Sequence, residues 1–308
     1  MKFYLLCGFA GIFLAAGAHA QPGNDTLAKI KAAGKVIIGT RESSAPLAYA
    51  GARAGTYTGY HVDICERIVE EIKSELKNPN LATEYVAVTS QNRIPLLMNG
   101  SIDLECGSTN NNAARKQQIA FAPTTYVVNV RMLVRADSPV TSFSQLEGKS
   151  VVTTVGTTSV QLLRKAQRTS NVNFNVVSGK DHADGFLMLQ SGRVDAFVLD
   201  DNVLAGLKAS APNPDAFKIV GESLSEEPCA IMYRKDDPAF KKLVDGKVTS
   251  LMRDGEIAKL YSKWFVSPIP PRGVSVNMPM SAALQNAIAH PNDRPAEDYA
   301  ADSAGAPK

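Results

Sequence analysis

The strongest constraint on the fold of this chain is a sequence unit that occurs twice. Residues 90–108 read SQNRIPLLMNGSIDLECGS and residues 182–200 read HADGFLMLQSGRVDAFVLD, and the two segments align residue for residue without gaps. Each contains an amphipathic helical segment, a glycine, a β-branched residue, an aspartate and an apolar strand, so that Asp103 corresponds to Asp195. A repeated unit of this kind predicts two lobes of similar topology.

Short β-branched runs alternate with amphipathic segments along most of the chain, which is typical of an α/β protein. The strand at 35–40 recurs at 150–154, each time followed by a polar turn and an amphipathic helix. Apolar spacing further predicts strands at 81–88 and 102–106 and helices at 63–76, at 91–98 with Ser90 as the N-cap, and twice between 240 and 261. The 308 residues, 44% of them hydrophobic, are enough for two domains.

The repeat also places four polar residues at corresponding positions. Ser90 and His182 occupy the predicted start of a helix, and Ser108 and Asp200 stand at the predicted carboxyl end of a strand. Open α/β sheets bind ligands at the carboxyl ends of their strands and at helix N-termini, where free N–H groups favour anions. The two lobes are therefore expected to face each other across a ligand-binding cleft.

The chain begins with the pattern of a secretory signal peptide. Lys2 supplies the positive start, residues 3–18 form the apolar stretch, and residues 18–20 (Ala-His-Ala) form a small-residue cleavage site. Cleavage after Ala20 would leave Gln21 as the first residue of the mature chain. No later apolar run reaches the ~18 residues of a membrane span. These features predict a protein exported to the periplasm.

Cysteine and histidine spacing gives no sign of a metal or redox centre. Removal of the signal peptide leaves Cys65, Cys106 and Cys229, so at most one intrachain disulfide can form, and whether Cys106 and Cys229 pair stays open. The chain has no CxxC and no HExxH motif, so we expect no metal site and no cofactor.

Charge and motif content argue against two broad classes of function. Lys and Arg number 33 against 30 Asp and Glu, a net charge of +3 that lacks the strong basic excess of nucleic-acid-binding proteins. The chain also has no GxGxxG, no GxSxG nucleophile elbow and no nucleophile–base pair at recognisable spacing. A nucleic-acid partner is therefore not expected, and catalysis has little direct support.

Several sequence blocks are specific enough to indicate a family. In the first half they are 39–46 (GTRESSAP), 89–97 (TSQNRIPLL) and 105–111 (ECGSTNN), and in the second half 156–159 (GTTS), 180–182 (KDH), 199–201 (LDD) and 234–238 (RKDDP). Together they resemble the periplasmic glutamate/aspartate-binding proteins of polar amino-acid ABC transporters, which belong to solute-binding protein family 3. The resemblance extends from about Leu27 to residues 270–271, nearly all of the mature chain.

The resemblance implies a two-lobed periplasmic-binding-protein type II fold with a hinge and an interlobe ligand cleft. In this fold the chain crosses between lobes twice, here near 128–131 and near 226–230. The expected division is a signal peptide (1–20), a discontinuous lobe 1 (21–128 and 230–275), lobe 2 (129–229) and a C-terminal extension (276–308). The tail from Pro291 is rich in Ala, Asp and Pro, so we expect it to be disordered.

The resemblance also implies how the α-groups of an amino acid are bound. In the wider family an Arg seven residues after the Ser that ends the third strand binds the α-carboxylate, and Arg115 stands at that distance from Ser108. Thr158 would donate to the same carboxylate, and Asp200, with Ser108 beside it, would bind the α-ammonium. Asn110 stands where the best-known relatives have a Thr, and this difference is expected to affect the selectivity for the ligand. From the residues alone, three structural alternatives stay open: Arg115 faces solvent on a helix, Thr158 stabilises a turn, and Asp200 caps a loop.

The side-chain carboxylate of the ligand would meet Arg41, Ser90, Arg93 and His182. Counting the three implied arginines against Asp200 leaves a charge of about +2, and a neutral ligand would leave buried guanidinium groups unpaired at a cost of several kcal/mol. The ordinary structural alternatives are that Arg93 pairs with a surface acid and that His182 caps a helix.

These residues predict a protein that captures L-glutamate, L-aspartate or both by lobe closure and delivers the ligand to the permease subunits of an ABC importer. Closure would bury the ligand between two sets of side chains, Arg41, Arg93, Arg115 and Ser108 on lobe 1 and Thr158, His182 and Asp200 on lobe 2. We expect a monomer without enzymatic activity. Two alternatives stay open: a secreted cyclohexadienyl dehydratase of the same fold, with His182 or Glu105 as acid or base, and an amino-acid sensor domain.

Overall fold

A computed structural model describes residues 25–299 of the protein, so the predicted signal peptide (1–20) and the end of the tail (300–308) lie outside the described residues. Within 25–299, no helix is long and apolar enough to span a membrane. The helices are α1 (Thr26–Ala33), α2 (Tyr60–Glu75), α3 (Arg93–Met98), α4 (Ala113–Lys116), α5 (Ser159–Ser170), α6 (His182–Gln190), α7 (Asp201–Ser210), α8 (Pro238–Arg253), α9 (Glu256–Tyr261) and α10 (Ala282–Ala289).

The strands belong to two large sheets, one small sheet and the connection between the large ones. In chain order they are β1 (Lys35–Thr40), β2 (Ser43–Ser44), β3 (Ala48–Ala50), β4 (Tyr57–Thr58), β5 (Ala82–Ala87), β6 (Leu104–Cys106), β7 (Ile119–Phe121), β8 (Tyr126–Arg135), β9 (Ser150–Thr154), β10 (Asn175–Gly179), β11 (Ala196–Asp200), β12 (Phe217–Val220), β13 (Glu226–Cys229) and β14 (Met232–Arg234). Strands β2, β3 and β4 form the small sheet.

The sheet of lobe 1 has the strand order β5-β1-β6-β14-β7. β1 lies parallel to both β5 and β6, and β14 runs antiparallel to its neighbours. Alternate residues of a strand point to opposite faces of a sheet. Accordingly Ile38 packs with Ile64 of α2 in one core, and Ile37 faces a second core that contains Leu97 of α3. Helices thus cover both faces of a largely parallel sheet.

The sheet of lobe 2 has the same architecture, with the strand order β10-β9-β11-β8-β12. β10, β9 and β11 are parallel, and β8 and β12 are antiparallel to their partners. Phe197 of β11 packs with Phe186 of α6 on one face, and Val198 packs with Leu163 of α5 on the other. The predicted α/β character of both lobes is therefore present in the structure.

The sequence repeat corresponds to one structural unit that occurs in both lobes. Gly100 and Gly192 have φ angles of 78° and 72°, a left-handed conformation that favours glycine. Asp103 accepts a backbone N–H from β1 at 2.9 Å, and its own N–H donates back to β1 at 2.7 Å. Asp195 makes the same two hydrogen bonds with β9, both at 2.8 Å. Each aspartate therefore fixes a strand to its parallel neighbour.

Two antiparallel strands connect the sheets. Residues 126–129 of β8 pair with β13, and residues 130–134 of the same strand pair with β11 in lobe 2. β8 includes the first predicted crossing, 128–131, and β13 includes residues 226–229 of the second, 226–230. The connection is therefore a hydrogen-bonded ribbon.

Helix α3 begins later than the sequence predicted, and the expectation that Ser90 is its N-cap is wrong. Asn92 precedes the first helical residue, Arg93. Thr89 N donates to Asn92 Oδ1 at 2.7 Å and Asn92 N donates to Thr89 Oγ1 at 3.3 Å, so the two side chains form a turn before the helix. This turn holds Ser90 outside the helix, whereas its counterpart in the repeat, His182, is the first residue of α6.

Residues 276–299 of the C-terminal extension are folded onto lobe 1, so the expectation of disorder from Pro291 is wrong for residues 291–299. Leu284 of α10 is buried in the core of lobe 1. Beyond α10, Ala296 N donates to the carbonyl oxygen of Asn111 at 3.0 Å. The composition of this segment suggested disorder because it offers little apolar area, but backbone and side-chain hydrogen bonds hold it in place.

The structure settles the cysteine pairing that the sequence left open. Cys65 in α2 forms a disulfide with Cys106 at the end of β6. Cys229 is a buried free thiol, so Cys106 and Cys229 do not pair. The disulfide ties a helix of lobe 1 to the strand whose carboxyl end leads into the ligand-binding loop proposed below.

Candidate functional site

The side chains predicted to bind a ligand lie together where the parallel strands of both lobes end. Arg41 follows β1, Ser90 follows β5, Ser108 follows β6, Thr158 follows β9, His182 follows β10 and Asp200 ends β11. Carboxyl ends of parallel strands meet at one edge of a sheet, and the two edges face each other here. Arg115 and Thr158 are partly exposed, and the other predicted side chains are buried.

Arg41 and Arg93 are among the largest fully buried side chains of the protein, each 1% exposed. Arg41 Nη1 donates to Ser90 Oγ at 2.8 Å, and Arg93 Nη1 donates to the carbonyl oxygen of Ser108 at 3.1 Å. Within residues 25–299 neither guanidinium forms an ion pair, and Arg41 Nη2 and Arg93 Nε have no hydrogen-bond partner. The two buried cations thus keep N–H donors from which an anion could accept hydrogen bonds. The alternative in which Arg93 pairs with a surface acid is wrong.

Burial works against the charge on both arginines. Burial, together with the charge of Arg93, lowers the pKa of Arg41 to about 9, and burial lowers the pKa of Arg93 as well. The carboxylate of Glu105 favours the charged form of both. Glu105 is fully buried and accepts from Thr109 Oγ1 at 2.8 Å, and its Oε1 has no partner among the described residues. Because a pKa of about 9 lies above neutral pH, Arg41 stays charged there.

His182 lies in the field of these arginines and is neutral. Burial, Arg41 and Arg93 hold its pKa well below the usual range of histidine. Its Nδ1 forms a 2.8 Å hydrogen bond with Thr154 Oγ1. The cap of α6 is the side chain of Asp181, so the alternative of His182 as a helix cap is wrong. His182 therefore contributes a hydrogen-bonding nitrogen and no charge.

Arg115 joins the two lobes. Its Nη1 donates to the carbonyl oxygen of Asn110 at 2.6 Å, and its Nη2 donates to the carbonyl oxygen of Gly156 across the cleft at 3.1 Å. Gly156 has a φ of 81°, and a Cβ at this position would lie 2.7 Å from the carbonyl oxygen of Ser90. The backbones of the lobes are therefore in contact, and the alternative of a solvent-facing Arg115 is wrong.

A second group of polar side chains surrounds Asp200. Asn110 Nδ2 donates to Asp200 Oδ1 at 3.2 Å and to Glu227 Oε2 at 2.6 Å, and it lies 3.3 Å from Thr158 Oγ1. Thr158 Oγ1 also donates to Glu227 Oε2, at 2.6 Å. Burial, with the charge of Glu227, raises the pKa of Asp200 to about 7. Ser108 lies outside this group, because its hydroxyl donates to Ser44 Oγ at 3.1 Å.

Sequence reasoning missed Glu227 and gave Glu105 no part in ligand binding. Both are buried, at 5% and 0% exposure. The sequence signal that could have found Glu227 is its position, because it is an acidic residue inside the predicted interlobe crossing at 226–230. With these acids counted, three arginines face three carboxylates, so the predicted charge of about +2 is wrong and the sum is about zero when all are ionised. The charges are instead separated, with two buried arginines at one end and two carboxylates around Asn110 at the other.

This set of donors and acceptors suits a small molecule that carries both charges. Two guanidinium groups, a hydroxyl and an imidazole gather at one end beside Glu105, and Asp200 and Glu227 lie near Arg115 at the other. In the part of the chain that the structure describes, no three His, Cys, Asp or Glu side chains are arranged to hold a metal ion. The fold and the enclosed polar site between the lobes define a two-lobed solute-binding protein.

Comparison with known proteins gives the family. The chain belongs to the bacterial extracellular solute-binding proteins, family 3, whose sequence profile matches residues 36–267. It is 43% identical over 284 residues to a Pseudomonas aeruginosa protein named L-glutamate/L-aspartate-binding protein, with 92% of this chain and 94% of the relative covered. It is 42% identical over 285 residues to the glutamate/aspartate import solute-binding protein of Escherichia coli K12, with the same coverage of 92% and 94%.

Comparison with solved structures confirms the fold. A mutant of ArgBP from T. maritima is 25% identical and aligns with a TM-score of 0.68, covering 78% of this chain and 98% of that chain. The two-lobed type II fold inferred from the sequence blocks is therefore confirmed, and so is the family resemblance on which the inference depended.

Proposed function

We propose that the protein captures L-glutamate or L-aspartate between its lobes and delivers it to the permease of an ABC importer. The observation that carries this proposal is the buried pair Arg41 and Arg93, which has no ion-pair partner among residues 25–299 and keeps unpaired donors. The names of relatives that match 92% of this chain support the same ligands. A dicarboxylic amino acid supplies the anion that these two arginines lack.

The α-groups of the ligand would bind at the opposite end from this arginine pair. The α-carboxylate would lie against Arg115 and Thr158, where α4 and the turn after β9 meet across the cleft. The α-ammonium would meet Asp200, with Asn110 Oδ1 as a second acceptor, because this oxygen is buried without a partner in the described chain. Ser108 would add a hydroxyl on the lobe 1 side.

The side-chain carboxylate would point to Arg41 and Arg93, with the Ser90 hydroxyl and the neutral His182 ring as further donors. Glutamine and asparagine would place a neutral amide here instead. The amide NH2 would face the unpaired guanidinium donors, and the buried charge would gain no counter-ion. Because an uncompensated buried charge costs several kcal/mol, acidic ligands should be strongly preferred.

We further propose that the chain acts in the periplasm as a monomer, after cleavage behind Ala20, and that it catalyses no reaction. The signal-peptide pattern supports export, and the relatives are named as binding proteins. A dehydratase of the same fold would have to use the buried His182 or Glu105 on a bound substrate. The conversion assay described below tests that alternative.

Calorimetric titration of protein that has been unfolded, dialysed and refolded tests the ligand assignment. We expect tight binding of L-glutamate, L-aspartate or both, and binding at least about 100-fold weaker for L-glutamine, L-asparagine and L-histidine, because these leave the arginine pair unneutralised. Ligand at ~100 times its dissociation constant should raise the unfolding free energy by about 2.7 kcal/mol. No binding across the panel by refolded protein would contradict the proposal, and conversion of prephenate or arogenate would then favour the dehydratase.

Substitution of single arginines separates the two ends of the site. Arg115→Ala should abolish binding of every amino acid, because the α-carboxylate is common to all of them. Arg93→Ala should weaken binding of the acidic ligands by about 2–5 kcal/mol and change glutamine binding much less. Both are measured by the same titration. Tight binding by the Arg115 variant, or equal losses for glutamate and glutamine in the Arg93 variant, would contradict these roles.

Glutamate binding should weaken as the pH falls below 7. The pKa of Asp200 is raised to about 7 by burial and by Glu227, so below this pH the free protein holds a proton that the ligand ammonium must displace. The dissociation constant should rise by up to tenfold per pH unit, about 30-fold from pH 8 to pH 5.5, where the ligand carboxylates remain ionised. Calorimetry in buffers of different ionisation enthalpy measures the proton released. Asp200→Asn should bind weakly without this pH dependence, and a flat wild-type profile would refute the assignment.

Lobe closure brings α7 of lobe 2 against lobe 1 at a glycine. A Cβ on Gly206 would overlap the carbonyl oxygen of Ala45, so any side chain here must push the lobes apart. Gly206 lies inside a helix, where alanine is favoured over glycine by roughly 1 kcal/mol. Gly246 of α8 is a matched control, because a Cβ there meets nothing within 4 Å.

Gly206→Ala should therefore weaken glutamate binding by about tenfold or more without lowering the melting temperature of the ligand-free protein. Small-angle scattering with saturating glutamate should show a larger radius of gyration than for the wild type. Gly246→Ala should bind and close as the wild type does. If both variants close equally, the contact between α7 and lobe 1 does not limit closure.

A further inference from the structure

The segment that carries Arg115 has little stability of its own. It runs from Ser108 at the end of β6 to the four-residue helix α4, and helices this short are not stable in isolation. Asn110 and Arg115, which are proposed to bind the α-groups of the ligand, both lie on it. The positions of Asn110 and Arg115 therefore depend on contacts between this segment and the rest of the protein.

The C-terminal residues 291–299, which we name the brace, hold this segment from the side away from the cleft. Asn111 is fully buried, and its Nδ2 donates to the carbonyl oxygens of Asp293 at 2.9 Å and Arg294 at 3.2 Å. In return, Ala296 N donates to the carbonyl oxygen of Asn111 at 3.0 Å. Neighbouring residues of extended backbone point to opposite sides, so Asn110 faces the cleft while Asn111 faces the brace.

The brace also holds both ends of α4. At the first turn, Ala113 N donates to Glu297 Oε2 at 3.0 Å, so a carboxylate satisfies one of the free N–H groups that begin the helix. At the last residue, Lys116 Nζ donates to the carbonyl oxygen of Asp293 at 2.6 Å and pairs with its Oδ1 at 3.2 Å. Arg115 lies between these two attachments.

The brace is itself anchored to lobe 1. Thr124 N donates to the carbonyl oxygen of Asn292 at 2.9 Å, and Tyr299 Oη donates to Thr124 Oγ1 at 3.2 Å. Lys241 of α8 pairs with Asp293 Oδ2 at 3.3 Å. The brace therefore joins α4 and the Asn110 loop to the body of the lobe that carries them.

We propose that the brace is a positioning element for the α-carboxylate and α-ammonium sites, which holds Arg115 and Asn110 in their binding geometry before the ligand arrives. It lies beyond residues 36–267, the part of the chain that the family profile matches. The inference rests on the proposed function, since it concerns how tightly that ligand is held. Preorganisation of a binding group raises affinity by reducing the ordering cost on binding.

The test compares chains of different length and two carboxylate substitutions. A chain ending at His290 lacks the brace and should bind L-glutamate about tenfold or more weakly, chiefly through faster dissociation measured by stopped-flow. A chain ending at Tyr299 keeps the brace and should bind as the full chain does. Asp293→Ala with Glu297→Ala should weaken binding about threefold to tenfold, and this variant carries the test if the shorter chain does not fold.

A double-mutant cycle distinguishes positioning from a general effect on stability. The loss caused by Asp293→Ala with Glu297→Ala should shrink in an Arg115→Lys background and persist in an Arg93→Lys background, because of these two arginines only Arg115 lies on the segment that the brace holds. Equal losses in both backgrounds would overturn the proposal. The proposal would also be overturned if a folded chain that ends at His290 bound glutamate with an affinity within twofold of that of the full chain. Failure of the full chain itself to bind glutamate or aspartate would refute the proposed function instead.

Discussion

The rest of the site depends on the burial of two guanidinium groups that form no ion pair among residues 25–299. Arg41 and Arg93 lose their hydration on folding, and the charge of Arg93 adds to the cost for Arg41. Glu105 offsets part of this cost. Gly107 makes room for the arrangement, because a Cβ there would overlap the Glu105 carboxyl group and lie 2.7 Å from Arg41 Cγ. The protein thus keeps buried guanidinium donors without hydrogen-bond partners among the described residues, and under the proposed function the side-chain carboxylate of the ligand would accept from them.

Much of the fold followed from local pattern, since residues close in sequence form the strands and the repeat. The positions of Arg41 and Asp200 could be predicted because each stands at the end of a buried strand, and strand ends meet at the cleft. Glu227 could not be predicted in the same way. Its partner Asn110 is 117 residues away in the chain, and their contact exists only after the ribbon and the loop have come together.

Two errors had a common physical cause. Hydrophobic spacing predicts a helix from residue 91 with Ser90 as its N-cap, but hydrogen bonds between Thr89 and Asn92 form a turn that moves the start of the helix to Arg93. The composition of the tail from Pro291 predicts disorder, but polar contacts with Asn111 and Lys116 hold residues 291–299 on lobe 1. In both cases side-chain hydrogen bonds outweighed a prediction made from apolar content.

The ribbon of β8 and β13 limits how the lobes can move. Its strands stay paired from Tyr126 to Asn129, so sliding one lobe past the other would break backbone hydrogen bonds, whereas flexing the ribbon out of its plane preserves them. Bending of the ribbon is therefore a motion that changes the distance between the lobes and keeps its strands paired. A membrane partner that touches one point on each lobe could then distinguish loaded from empty protein by the distance between those two points, without any contact to the amino acid.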